Sequence, residues 1–90
     1  MHDWILHSVT VHWETGETTL QLSWSARRYE LKAHGMTDLK MPRSFAWGPS
    51  SSVNSANAPT PNADGTATLK VEMQSGDSIE IVAKSFSLPA

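Results

Sequence analysis

The stretch Thr19–His34, TLQLSWSARRYELKAH, decides the fold. Leu20, Leu22 and Trp24 alternate with Thr19, Gln21 and Ser23; Tyr29, Leu31 and Ala33 then alternate with Glu30, Lys32 and His34. A period of two sends successive side chains to opposite faces, the pattern of a strand with one buried and one wet side. Between the two runs, Ser25-Ala26-Arg27-Arg28 reads as a turn, so the strands fold back on each other. Upstream, Ile5, Val9, Val11 and Trp13 keep the same phase, with Ser8, Thr10 and His12 between them. Glu14-Thr15-Gly16-Glu17 then reads as the turn into the next strand, and the three strands make an antiparallel meander.

A slip of one residue would turn every side chain to the wrong face, so the apolar rows constrain the pairing. The expected partners are Trp13 with Thr18, Val11 with Leu20, Val9 with Leu22 and His7 with Trp24. Across the second turn they are Trp24 with Tyr29, Leu22 with Leu31 and Leu20 with Ala33. At the far end Leu69, Val71 and Met73 alternate in the same way, followed by Ile79, Ile81 and Ala83. A three-residue loop Gln74-Ser75-Gly76 places glycine third, where a type I turn with a G1 bulge needs positive φ. That loop sets Val71 opposite Ile79, Leu69 opposite Ile81 and Lys70 opposite Glu80.

The middle of the chain is less regular. Met36–Phe45 carries Leu39 and Met41 at strand spacing until Pro42 interrupts, and Ala58–Thr66, APTPNADGT, reads as loop with a turn at Asp64-Gly65. Phe45–Ser55, FAWGPSSSVNS, reads as a turn anchored by Trp47 that opens an edge strand, because Pro49 removes a ladder donor. No segment offers apolar residues at helical spacing with caps. The expected architecture is therefore all-β. It is a single antiparallel sheet of about six or seven strands, curled into a small sandwich or partly open barrel. Ninety residues make one domain, 1–90.

Composition narrows the function. The net charge is −2, from seven Lys and Arg against nine Asp and Glu, which argues against nucleic-acid binding. No cysteine is present, so disulfides, thiolate metal sites and thiol nucleophiles are excluded. The opening MHDWILHSVTVHW has neither a basic n-region nor an unbroken apolar run, which points to the cytoplasm and no membrane span.

The chemistry-bearing residues form no catalytic set. Ser50-Ser51-Ser52 lies in no G-x-S-x-G elbow, and WGPSSS has no lysine after its glycine to hold a phosphate. His12, Thr19 and His34 are expected in one outward row, too widely spaced for a single metal and without a third ligand. His7 is expected inward beside Trp24 and Tyr29, a small polar-aromatic pocket or a structural contact. Trp13 and Trp24 fall on the buried phase; Trp4, on the outward phase, and Trp47, in the irregular segment, remain as candidates for exposed anchors, with core or edge packing the favoured reading for both. The expectation is a non-enzymatic chain with no metal or other cofactor.

Three strings carry a resemblance: HDWILHSVTVHWETG (His2–Gly16), PRSFAWGPSSSVNS (Pro42–Ser55) and VEMQSGDSIEI (Val71–Ile81). Together they resemble a family of small uncharacterised bacterial all-β proteins with an opening His-Asp, a Trp-Gly-Pro-Ser step with a following Asn, and a Met-Gln-Ser-Gly-Asp turn. Proteins of this type resemble immunity proteins encoded beside secreted toxins. The resemblance implies a protein partner, a bacterial toxin domain neutralised by tight binding, and it carries no catalytic residues. Candidate contacts are Glu14, Glu17, Glu72 and Asp77 at the turns, with Trp47, Ser50 and Asn54 in the central segment. The alternatives are a small-ligand or carbohydrate module using Trp47 and Asn54, or a subunit of a larger assembly that adds a partner strand along Ser50–Ser55.

Overall fold

The period-two runs become strands in the computed structural model, which describes residues 3–42 and 52–88. In chain order they are β1 Ile5–His12, β2 Glu17–Trp24, β3 Arg27–Lys40, β4 Val53–Ala56, β5 Thr60–Pro61, β6 Ala67–Met73 and β7 Ser78–Ser87. They form one antiparallel sheet ordered β1-β2-β3-β7-β6-β4, with β5 also paired to β6. The meander is β1–β2–β3 and the last hairpin is β6–β7. β3 does not stop at Met36: it runs on to Lys40, and its pairing with β7 joins the two blocks into one sheet.

The sheet curls until its edges approach at one end. Ile5 bridges Ser52, the Val53 amide donates to the Trp4 carbonyl at 2.7 Å, and the Asp3 amide donates to the Val53 carbonyl at 2.9 Å. These contacts join the start of β4 to the N-terminal end of β1, and the sheet is not closed into a barrel. The same contacts fall within the Ser50–Ser55 edge expected from the sequence, while β4 is the last strand of the sheet order. Ser52 and Val53 already hold the N-terminal segment, and Ser50 lies outside the described residues.

Curling brings the inner rows together. Leu20, Leu22, Leu31, Ala33, Leu69, Val71, Met73, Ile79, Ile81 and Ala83 are buried, with Leu6 and Val53 completing the cluster. Each large aliphatic side chain removed fully from water contributes roughly 1.5–3 kcal/mol, so this face is the main source of stability. The C-terminal hairpin has the expected register, Val71 with Ile79, Leu69 with Ile81 and Lys70 with Glu80. Gly76 closes its loop at φ +100, donating to the Met73 carbonyl at 3.0 Å.

The meander differs from expectation by two residues at both turns. Val11 pairs with Thr18, Val9 with Leu20 and Leu6 with Leu22. Across the next turn Trp24 pairs with Arg27, Leu22 with Tyr29 and Leu20 with Leu31. A two-residue shift preserves the face of every side chain, so β2 and β3 keep their inner rows while the partners change. The second turn is a two-residue loop, Ser25-Ala26, with φ of +52° and +62°. Positive φ at both positions is what a type I′ turn requires, and its twist matches the strands it joins. Neither residue is a usual choice there, which is why the four residues Ser25–Arg28 read as the loop.

Two irregularities change the phase within strands. A bulge between Leu6 and Ser8 makes His7 the extra residue. Leu6 is therefore buried in place of Ile5, and His7 is exposed. In β3, Gly35 takes φ +65, and the inward row passes from Leu31 and Ala33 to Met36, which packs on the core. There the fully buried Thr18 hydroxyl donates to the Met36 sulfur at 3.0 Å. Further along, a second bulge between Met36 and Asp38 brings Leu39 opposite Ile81.

The Ala58–Thr66 segment is loop except for β5, as far as Asn62–Thr66, where the expected Asp64-Gly65 turn forms with Gly65 at φ +88. Asp64 Oδ1 accepts the Thr66 hydroxyl at 2.6 Å and the Thr66 amide at 3.1 Å. These bonds hold the Asp64 carboxyl below its ordinary value of 3.8, the hydroxyl contributing most.

Candidate functional site

The β1–β2 turn is where the register shift matters most. Because His12 rather than Trp13 pairs across the hairpin, Trp13 opens the loop instead of ending the strand. Its side chain is 90% exposed, against the expectation that it lies on the buried phase. The loop beneath it is well tied. Gly16 donates to the His12 carbonyl at 2.9 Å, and the Gly16 carbonyl accepts the Met36 amide at 2.8 Å. Gly16 has φ +70, and a Cβ there would lie 3.4 Å from the Met36 nitrogen, so glycine lets the turn sit against the β3 bulge.

A cavity of about 200 Å³ opens beside Trp13, lined by Val11, His12, Trp13, Gly16, Met36 and Thr37. Drug-sized ligands occupy roughly 300–1,000 Å³, whereas a cavity of about 150 Å³ accepts benzene. The space therefore suits one large side chain or a single ring. Glu14 is exposed in the same turn. Glu17, at its foot, is instead engaged: Oε1 lies 3.8 Å from the Lys32 ammonium and Oε2 lies 3.7 Å from His34 Nδ1.

The other acidic candidates sit elsewhere. Glu72 accepts the Asn54 amide at 2.6 Å, joining β6 to β4, and Asp77 is only 5% exposed, which removes it as an open contact. The β6–β7 loop touches the start of β1, where Gln74 bonds Ser52 and the Asp3 carboxylate. The Trp13 turn lies at the opposite end of that eight-residue strand, roughly 25 Å away at about 3.3 Å per residue. Glu14 and Glu17 therefore do not share one contact patch with Glu72 and Asp77. Trp47 and Ser50 lie outside the described residues.

The expected pocket of His7, Trp24 and Tyr29 is only partly assembled. The bulge turns His7 away, and its Nε2 lies 2.8 Å from the Ser23 hydroxyl. Trp4 takes the inner place, half-buried rather than outward. It stacks on Trp24 at 6.0 Å with rings 12° apart, and meets Tyr29 at 4.7 Å. Trp24 remains 49% exposed, and of the two tryptophans Trp4 is the one that packs on the core. The outward row near the first turn is His12, Glu17, His34 and Ser85, with Glu17 where Thr19 was expected. His34 Nε2 also lies 2.9 Å from the Ser87 hydroxyl. Among the described residues no three His, Asp or Glu side chains are grouped to hold a metal ion.

Sequence reasoning missed Trp13, and one signal would have found it. Requiring Gly16 to close its loop at positive φ, as Gly76 closes the other, pairs His12 with Glu17 and leaves Trp13 in the turn. No family model, curated protein or solved structure matches this chain.

Proposed function

We propose that this chain is a non-enzymatic protein-binding domain whose contact surface is the β1–β2 turn, with Trp13 as anchor, Glu14 at its flank and the adjoining cavity as receiver. The observation that supports this reading is Trp13 itself, 90% exposed on a turn tied by backbone hydrogen bonds. An indole offers roughly 150–250 Å² of surface to bury and loses little conformational freedom when already presented. Tryptophan is also among the residues that dominate binding energy when desolvated at an interface centre. The three strings resemble a family of small uncharacterised bacterial proteins, and proteins of this size and type resemble immunity proteins; on that resemblance the partner is a bacterial toxin domain, neutralised by tight binding.

The test is capture of the product of the neighbouring gene, followed by calorimetry. Binding at nanomolar strength, weakened about 30-fold or more by Trp13→Ala, supports the proposal, since hot-spot truncations cost about 2 kcal/mol or more. A neighbour that encodes nothing toxin-like and is not captured removes the immunity reading. Tight capture that is indifferent to Trp13→Ala moves the contact surface away from this turn.

A further inference from the structure

The pairing of β3 with β7 brings together side chains that no sequence motif joins. His34 lies opposite Ser85 and Lys32 opposite Ser87, on the outer face of the sheet. His34 Nε2 is 2.9 Å from the Ser87 hydroxyl, and His34 Nδ1 is 3.7 Å from Glu17 Oε2. Glu17 Oε1 in turn lies 3.8 Å from the Lys32 ammonium. A hydroxyl, an imidazole and a carboxylate in this order are the arrangement of an activated nucleophile, which is known by its geometry and not by chain position. The first distance is within the roughly 2.6–3.2 Å that proton transfer to a base requires. The carboxylate favours the imidazole tautomer with its proton on Nδ1, which leaves Nε2 to accept from Ser87. Ser87 is exposed, and the Glu17 and His34 side chains keep 35% and 41% of their surface, so a reagent reaches the set from solvent. A second pair supplies a comparison: His7 Nε2 lies 2.8 Å from the Ser23 hydroxyl, with no carboxylate paired to His7.

We infer that Ser87 is a site of covalent acylation, taking its acyl group from an activated ester or thioester, with His34 as the base and Glu17 as a positioning residue. Ser87 Oγ forms a bond to the acyl carbon. The bond from that carbon to the leaving oxygen or sulfur breaks, and the leaving group departs with its electron pair. The Ser87 proton passes to His34 Nε2, and the imidazolium stays beside the Glu17 carboxylate until it gives that proton to the leaving group or to water. The product is an ordinary alkyl ester, less reactive than the donor that made it. The chain therefore accepts one acyl group and does not turn over. Such a site goes beyond the binding role of the β1–β2 turn and does not rest on it, because neither Trp13 nor its cavity takes part.

An alkyl fluorophosphonate tests the nucleophile, because it marks activated serines with an adduct that survives peptide mapping by mass spectrometry. Ser87 Oγ attacks phosphorus, the P–F bond breaks and fluoride departs, with the proton again going to His34. Ser87 is expected to be labelled at least about tenfold faster than Ser23, and His34→Gln is expected to slow Ser87 by at least about tenfold, at the low end of what a positioned base supplies. Glu17→Gln is expected to slow it as well and, by nitrogen NMR of the neutral ring, to shift His34 away from the Nδ1–H tautomer. The Tm should stay unchanged, since an exposed ion pair contributes little to stability. p-Nitrophenyl acetate is expected to acetylate Ser87 and to release about one equivalent of nitrophenolate through it, as a single transfer requires. No adduct at Ser87, equal labelling of Ser87 and Ser23, or a Ser87 rate indifferent to His34→Gln overturns the inference. A rate and tautomer indifferent to Glu17→Gln overturn the role of Glu17, and sustained Ser87-dependent release of nitrophenolate overturns the single transfer.

Discussion

The Ser25-Ala26 turn makes a stabilising prediction that also tests the register. Both residues hold positive φ, +52° and +62°, a region that costs a residue with a Cβ roughly 1–2 kcal/mol. Asparagine and glycine are the preferred pair for a type I′ turn, because Asn tolerates this region and Gly enters it without steric cost. Ala26→Gly recovers about 1–2 kcal/mol and returns roughly 0.5–1 kcal/mol through the extra freedom of glycine in the unfolded chain. Ser25→Asn adds a few tenths of a kcal/mol by the same preference. The double variant should therefore gain about 1 kcal/mol, a rise in Tm of about 4–8 °C for a domain of this size. Urea unfolding followed by tryptophan fluorescence measures it, with an unchanged m-value as the sign that the native surface is intact. If the loop were the four residues Ser25–Arg28, neither position would require this conformation and the added glycine would be neutral or harmful. A gain below about 0.3 kcal/mol, or any loss, refutes the two-residue turn and with it the pairing of Leu22 with Tyr29.

Three further outcomes follow from the same geometry. Gly35→Ala should cost about 2–3 kcal/mol, combining an L residue at φ +65 with a Cβ 3.0–3.3 Å from the Lys84 side chain; adding Lys84→Ala should recover part of the loss in chemical denaturation, and no recovery would show that the crowding is not at Lys84. Trp13→Ala should change stability by less than about 0.5 kcal/mol, whereas Trp24→Ala, which breaks the stack on Trp4, should cost about 1–2 kcal/mol; the reverse ranking by urea titration would contradict the inward place of Trp24. The Asp64 carboxyl, held below 3.8 in the folded state, stabilises its turn above the unfolded value and loses that effect as pH falls through the folded one. NMR should therefore show Asp64 titrating below 3.8, with Thr66 amide protection fading over the same acid range and already absent in Asp64→Ala, which removes the acceptor.

How far the amino-acid chain could be read is best seen at its turns. The β6–β7 hairpin was legible to the residue, because Gly76 is the only residue in its loop suited to positive φ and one parity alone puts Val71 and Ile79 together. The β2–β3 turn was not, because Ser and Ala do not announce a type I′ loop; they are forced into it by the pairing of the strands around them. For the candidate site, the exposed position of Glu14 was foreseen, while Trp13, the residue that distinguishes the surface, was assigned to the core. His7 and Trp4 exchanged places for a related reason: a bulge leaves no mark on a period-two pattern until it is known where the phase restarts. Asp77 reads as an acid in a loop and is buried, since neighbouring segments cover it.

What the chain alone determined is the all-β class, the main strand runs, and the face that β2, the start of β3 and the last hairpin bury. That information is local, carried by the alternation of apolar and polar side chains along an extended backbone. What only the tertiary structure decided is the partner of each residue and the points where the inner row changes phase. A register shift of two residues leaves every side chain on its own face, so alternation cannot distinguish the two pairings. The choice is made by contacts between elements. At one end of the sheet Gly16 hydrogen-bonds Met36 and Gly35 lies against Lys84, and at the other the start of β1 reaches Ser52 and Val53. The first of these contacts holds the β1–β2 turn on β3, with Trp13 exposed.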